Sequence, residues 1–121
     1  MERKIVFRGK NRYRKEWLYG NLVQYKDGSF GIDGVPVETD SVGQFTGLYD
    51  TNKKPIYEGD IVRYYDDIED ELVTAEVIYH ADSCSFCARL KYSEPIGLFA
   101  HWQYEIIGNR FDNPELISKK Q

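Results

Sequence analysis

Short apolar runs separated by polar and turn-forming clusters recur along the whole chain, and that spacing predicts strands rather than long helices. Ile5-Val6-Phe7, set between basic residues, reads as a first strand, and the polar, basic residues 9–15 read as a loop. In residues 17–25 the odd positions hold Trp17, Tyr19, Asn21, Val23 and Tyr25, while the even ones include Leu18 and Leu22. Apolar side chains on both parities predict a strand covered on both faces for part of its length. Asp27-Gly28 supplies the positive φ angles of a tight turn. With Phe30 and Ile32 on the return, residues 17–33 are expected to form a β-hairpin.

Pro36 and the cluster Thr39-Asp40-Ser41 interrupt the pattern. Residues 50–55 then read as a turn, and residues 56–65 as one imperfectly alternating strand. Five acids in the six positions 66–71, broken only by Ile68, predict an exposed loop. Residues 73–79 and 86–92 read as a second hairpin, with Phe86, Ala88 and Leu90 on one face and Cys87, Arg89 and Lys91 on the other. Residues 102–107 form the last expected strand. Asn113-Pro114-Glu115 has the chemistry of a helix start, with a capping Asn, Pro at the first position and Glu in the first turn. Residues 118–121 are left as a flexible tail. The pattern predicts one domain spanning 1–121, mainly β with α+β as the alternative. It would have about seven or eight short strands, a small SH3-like partly open barrel, hairpins and short helical turns.

Composition strengthens this picture. Aromatic residues make up 15% of the chain, with ten tyrosines against one methionine, and tyrosine suits half-buried strands where the ring packs and the hydroxyl stays wet. A chain of 121 residues can bury a core without metal or disulfide support. No apolar run approaches the roughly 18 residues needed to span a bilayer, and the charged start MERK carries no signal sequence. A cytoplasmic protein with no membrane partner is expected, its two cysteines free thiols.

The net charge of −4 conceals two opposed segments. Residues 1–15 hold seven bases (Arg3, Lys4, Arg8, Lys10, Arg12, Arg14, Lys15) against Glu2, and residues 58–71 hold seven acids against Arg63. Such segments can meet across a subunit interface, pair within the fold, bind separate partners, or face solvent.

Three groups of residues carry candidate chemistry. Glu58 and Asp60, two apart, would share a face if they lay on one strand. They could then hold a divalent cation or raise one another's pKa. The alternative is that the Asp of a Gly-Asp strand entry bonds backbone amides. His80, Cys84, Cys87 and His101 could supply four zinc ligands, although a single CxxC lacks its usual second pair. The basic start, with Arg8 and Arg12 beside Phe7, Tyr13 and Trp17, could bind nucleic acid through phosphates and stacking. Against that stand a pI near 5.2 and the lack of a helix-turn-helix or RNA-binding signature. No phosphate loop, GxSxG elbow or HExxH occurs, and no cofactor is expected.

Three motifs in order, RKIVFRG with WLYGNLV, SVGQFTGLYDTNKKPIYEGDIV, and YEIIGNRFDNPELI, make the chain resemble the YopX family of small bacteriophage and prophage proteins, a family with no assigned biochemical role. The resemblance implies a compact β-rich accessory protein that self-associates and meets a host or phage protein in the bacterial cytoplasm. It supplies no catalytic residues to carry over. The chain departs from the family at the central turn, where Lys53 follows Asn52 in place of the common glycine. The expected function is therefore a non-enzymatic interaction module. The alternatives are a nucleic-acid binder using the basic start and a metal-dependent hydrolase using Glu58 and Asp60.

Overall fold

Three antiparallel sheets are built from twelve strands in the computed structural model, which describes residues 4–91, 94–98 and 103–117. Strands β1 (Phe7–Lys10), β2 (Trp17–Gly20), β6 (Gly43–Tyr49) and β7 (Pro55–Tyr57) form one sheet in the order β2-β1-β6-β7. A small meander follows β2 in the chain: β3 (Leu22–Gln24), β4 (Phe30–Ile32) and β5 (Val35–Val37). The largest sheet has the order β11-β10-β9-β8-β12, from β8 (Asp60–Asp66), β9 (Glu71–His80), β10 (Ser85–Arg89), β11 (Ile96–Gly97) and β12 (Glu105–Asn109). The only helical elements among the described residues are the 3-10 turns Thr39–Ser41 and Pro114–Ile117. The chain is mainly β, and the start at Asn113-Pro114 yields a single short turn. No described helix is long and apolar enough to cross a membrane.

The strands are more numerous than the pattern predicts, because turns cut two of the expected strands. The first strand begins only at Phe7 and runs through Gly9 and Lys10, part of the expected loop. Residues 17–25 split into β2 and β3, which belong to different sheets. At the break, the Asn21 amide donates to the Asp33 carboxylate at 3.0 Å, and the Asp33 amide donates to the Asn21 carbonyl at 2.9 Å. The hairpin across Asp27-Gly28 therefore joins β3 to β4, whereas β2 pairs with β1. A second turn at Asp33-Gly34, both at positive φ, joins β4 to β5. Pro36 lies within β5 rather than ending the pattern. It is tolerated there because β5 is an edge strand whose outer side needs no N–H donor. The expected single strand over residues 56–65 is likewise cut by a turn at Glu58-Gly59.

Asp50 organises the turn before β7. Its carboxylate accepts the amides of Asn52 and Lys54 at 2.8 and 2.9 Å on one oxygen and that of Ile106, in β12, at 3.1 Å on the other. Burial alone would raise its pKa, but these amide bonds more than offset it and hold the carboxyl below its ordinary value. Lys53 takes the left-handed conformation at φ 66°, a region that glycine enters without steric cost.

The main core lies on one face of the largest sheet. Val62, Tyr64, Ala75, Val77 and Ala88 pack there with Ile56 of β7 and Tyr104. The Tyr64 and Tyr104 rings meet edge to face at 5.4 Å. Cys87 and Ala88 are both buried, so β10 is covered on both faces at these two positions. Tyr92, His101, Trp102 and the tail 118–121 lie outside the described residues.

Candidate ligand-binding cleft

The sequence 57–60 makes a turn tied by backbone hydrogen bonds and by the Asp60 carboxylate. The Asp60 carboxylate accepts the Tyr57 amide at 2.7 Å on one oxygen, and the Arg8 guanidinium lies 2.9 Å from the other. The Glu58 amide donates to the Gln44 carbonyl, the Gly59 amide to the Val77 carbonyl, and the Arg110 amide to the Gly59 carbonyl, at 2.8–2.9 Å. Gly59 has φ +98°, and a Cβ there would lie 3.6 Å from both Arg8 and Arg110 side chains. That contact is an ordinary one, so it is the positive φ that favours glycine here. At Gly43, directly opposite Arg8 in β6, a Cβ would strike the Glu58 carbonyl, so this position must also lack a side chain.

Arg8 and Asp60 are both over 90% buried. Burial pushes the Asp60 carboxyl above its ordinary range, and the Arg8 charge with the Tyr57 amide draws it back only in part. The Arg8 guanidinium also rests against aromatic faces, 4.6 Å from the Trp17 ring centre and 5.1 Å from that of Tyr57. Its Nε finds no hydrogen-bond acceptor and is enclosed by these rings, where an N–H can meet a π face. Lys10, two residues along β1 and so on the same side of the sheet, lies 5.0 Å from the Trp17 ring centre. Asp112 collects both neighbours, accepting from the Trp17 indole at 3.0 Å and from Lys10 at 3.1 Å. Burial acts to raise the Asp112 pKa, and the bonds from Trp17, Lys10 and Asn109 more than reverse it.

Beside this buried pair opens a cleft of about 560 Å³ between β2, β7 and β12, lined in part by Trp17, Tyr19, Lys54, Pro55 and Tyr57. Burial, with Tyr19 adding to it, raises the Tyr57 phenol and keeps it protonated. From Tyr19 a row of rings runs through Tyr57 and Phe45 to Tyr49, with centroids 5.5, 5.7 and 5.5 Å apart. Tyr57 and Phe45 are buried, whereas Tyr19 and Tyr49 at the two ends are each 54% exposed.

The fold thus brings three sequence candidates together: Arg8, Trp17 and Asp60. Glu58 does not join them. The expectation that Glu58 and Asp60 share a strand face fails because the chain turns between them at Gly59, and Asp60 takes the amide-bonding role of a strand entry. Arg12 stands on an exposed turn, where its guanidinium donates to the Val37 carbonyl at 3.5 Å. The cysteines diverge at the β9–β10 turn: Cys84 is exposed at φ 52°, while Cys87 is buried against the Ser83 and Ser85 hydroxyls. With His80 they form no metal-ligating group of three among the described residues, and His101 lies outside those residues. Sequence reasoning passed over Tyr19, Pro55 and Lys54. Tyr19 was legible as the partner of Trp17 at period two. It also passed over buried Glu76, which pairs with Arg89 at 2.7 Å and lies 3.9 Å from Arg110.

A family model described as YopX protein matches residues 6–118. Among solved structures, the crystal structure of protein EF1440 from Enterococcus faecalis superposes with a TM-score of 0.62 at 23% identity, covering 97% of this chain and all of that one. That likeness shows the fold. No curated protein matches the chain.

Proposed function

Because the chain belongs to the YopX family, we propose that it is a non-enzymatic phage or prophage accessory module that self-associates and binds a host or phage protein in the bacterial cytoplasm. One observation carries this reading: the cleft's carboxylate and guanidinium are engaged with each other, while Tyr19 stands exposed at its rim. Asp60 is ion-paired with Arg8, and Asp112 with Lys10. An acid bonded to a guanidinium and a backbone amide is poorly placed to act as a base or to ligate metal. Exposed tyrosine beside a half-buried tryptophan is instead the chemistry of recognition surfaces.

Self-association draws support from the opposed charges. The exposed turn with Arg12, Tyr13, Arg14 and Lys15 and the acidic turn with Asp67, Ile68, Glu69 and Asp70 enter no ion pair among the described residues. Tyr13 and Ile68 at their tips are 73% and 90% exposed. Light scattering coupled to size exclusion tests this: the expected result is an oligomer at low salt that loosens at high salt. A monomer under both conditions overturns self-association through these turns.

A further inference from the structure

Deepening the interaction-module reading, on which it rests, we infer that the cleft between β2, β7 and β12 binds an extended, proline-containing peptide segment bearing a carboxylate side chain. The walls are Trp17, Tyr19, Pro55 and Tyr57. Tyr57 is buried at the floor of the cleft, so Tyr19 is the exposed ring at its rim. A cleft walled by half-buried Trp17 and by exposed Tyr19 and Pro55 accepts a polyproline II strand, whose pyrrolidine rings pack against aromatic side chains and whose conformation is already ordered before binding. Such a strand leaves its own carbonyls unpaired, and the exposed Tyr19 supplies a hydroxyl donor at the rim.

Charge selects the rest of the ligand. Within the cleft, Arg8 is matched by Asp60, and nearby Lys10 is matched by Asp112. Lys54 is exposed and in no ion pair among the described residues. One available ammonium above an apolar cleft calls for one carboxylate. The same count disfavours nucleic acid, which is held by several phosphate contacts at once.

The test is selection from a displayed random decapeptide library on the full chain, followed by titration of selected peptides into wild type, Tyr19→Ala and Lys54→Glu. Both substituted residues are exposed, and thermal melts verify that the variants fold. The expected peptides share a proline and an Asp or Glu at fixed spacing. They lose tenfold or more in affinity with Tyr19→Ala and with Lys54→Glu, and replacing their acid by lysine restores binding to Lys54→Glu. Peptides that are sensitive to Tyr19→Ala but lack proline or an acid overturn this inference and leave the interaction-module reading standing. Selected peptides indifferent to Tyr19→Ala, or no selection at all, overturn the cleft as the recognition face. Combined with a monomer at both salts, that result removes the module reading as well.

Discussion

Two acid-bearing turns close the two ends of strand β8, and the fold treats them in opposite ways. At its start, residues 57–60 are half-buried or buried and tied by backbone bonds, and the Asp60 carboxylate faces the Arg8 guanidinium. At its end, the Asp66 carboxylate accepts the amides of Ile68 and Glu69 at 2.9 and 3.2 Å, and the acids beyond it face solvent. Both turns use an aspartate to bond nearby amides. They differ in what lies across from that aspartate. Strand β1, some fifty residues earlier in the chain, places a cation and two aromatic contacts against the first turn, and no described cation pairs with the second.

The largest effect should come from removing the cation. Arg8→Met leaves Asp60 buried without its partner and should cost about 3–5 kcal/mol in urea unfolding, partly recovered when Asp60→Leu is added. That loss should depend on pH. Asp60 keeps its proton to higher pH in the fold than in the unfolded chain. Its contribution to stability therefore declines as pH rises from the ordinary carboxylate range through the raised folded value. Without Arg8 the folded value climbs further, so the deficit of Arg8→Met should be smallest in acid and grow toward neutral pH. A deficit that shrinks toward neutral pH would show that the pair is not what holds this turn.

Next in size is the backbone of the same turn. Gly59→Ala forces a side chain into φ +98° between two arginines and should cost about 1–3 kcal/mol. At the Asp50 turn the opposite change should help. Lys53→Gly relieves a left-handed lysine and should raise stability by about 0.5–1 kcal/mol, after the entropy cost of glycine. Smallest is the acidic turn: Asp67→Asn, Glu69→Gln and Asp70→Asn, made singly, should each change stability by no more than about 0.5 kcal/mol. Combined, they should abolish the salt-sensitive oligomer in light scattering. A large loss of stability from any one of them would make the two turns alike and undo the contrast.

Much of this was legible along the chain. The aromatic and β-branched runs mark strands, Asp27-Gly28 marks its hairpin, and Asn113-Pro114 marks its helical turn, because each depends on neighbours within a few residues. Asp33-Gly34 was legible by the same rule and was passed over in favour of Pro36. The split of residues 17–25 was not legible, since it depends on the Asp33 carboxylate reaching back to the Asn21 amide. For the same reason Glu58 and Asp60 looked equivalent. Spacing of two implies a common face only if the strand is continuous, and the break at Gly59 follows from contacts with Arg8, Arg110, Gln44 and Val77.

The sequence by itself determined the class of fold, the family, the local turn chemistry and the presence of opposed charged segments, because these rest on short-range periodicity and on residue types. The tertiary structure alone decided which charges are satisfied. Whether an acid is structural, solvated or available to a partner depends on what is packed against it and on how much water reaches it. In Gln44–Val62 that decision turned a promising pair of carboxylates into one buried ion pair and one turn residue. The chemistry open to a partner was left to the exposed ring of Tyr19 and the charge of Lys54, beside half-buried Trp17.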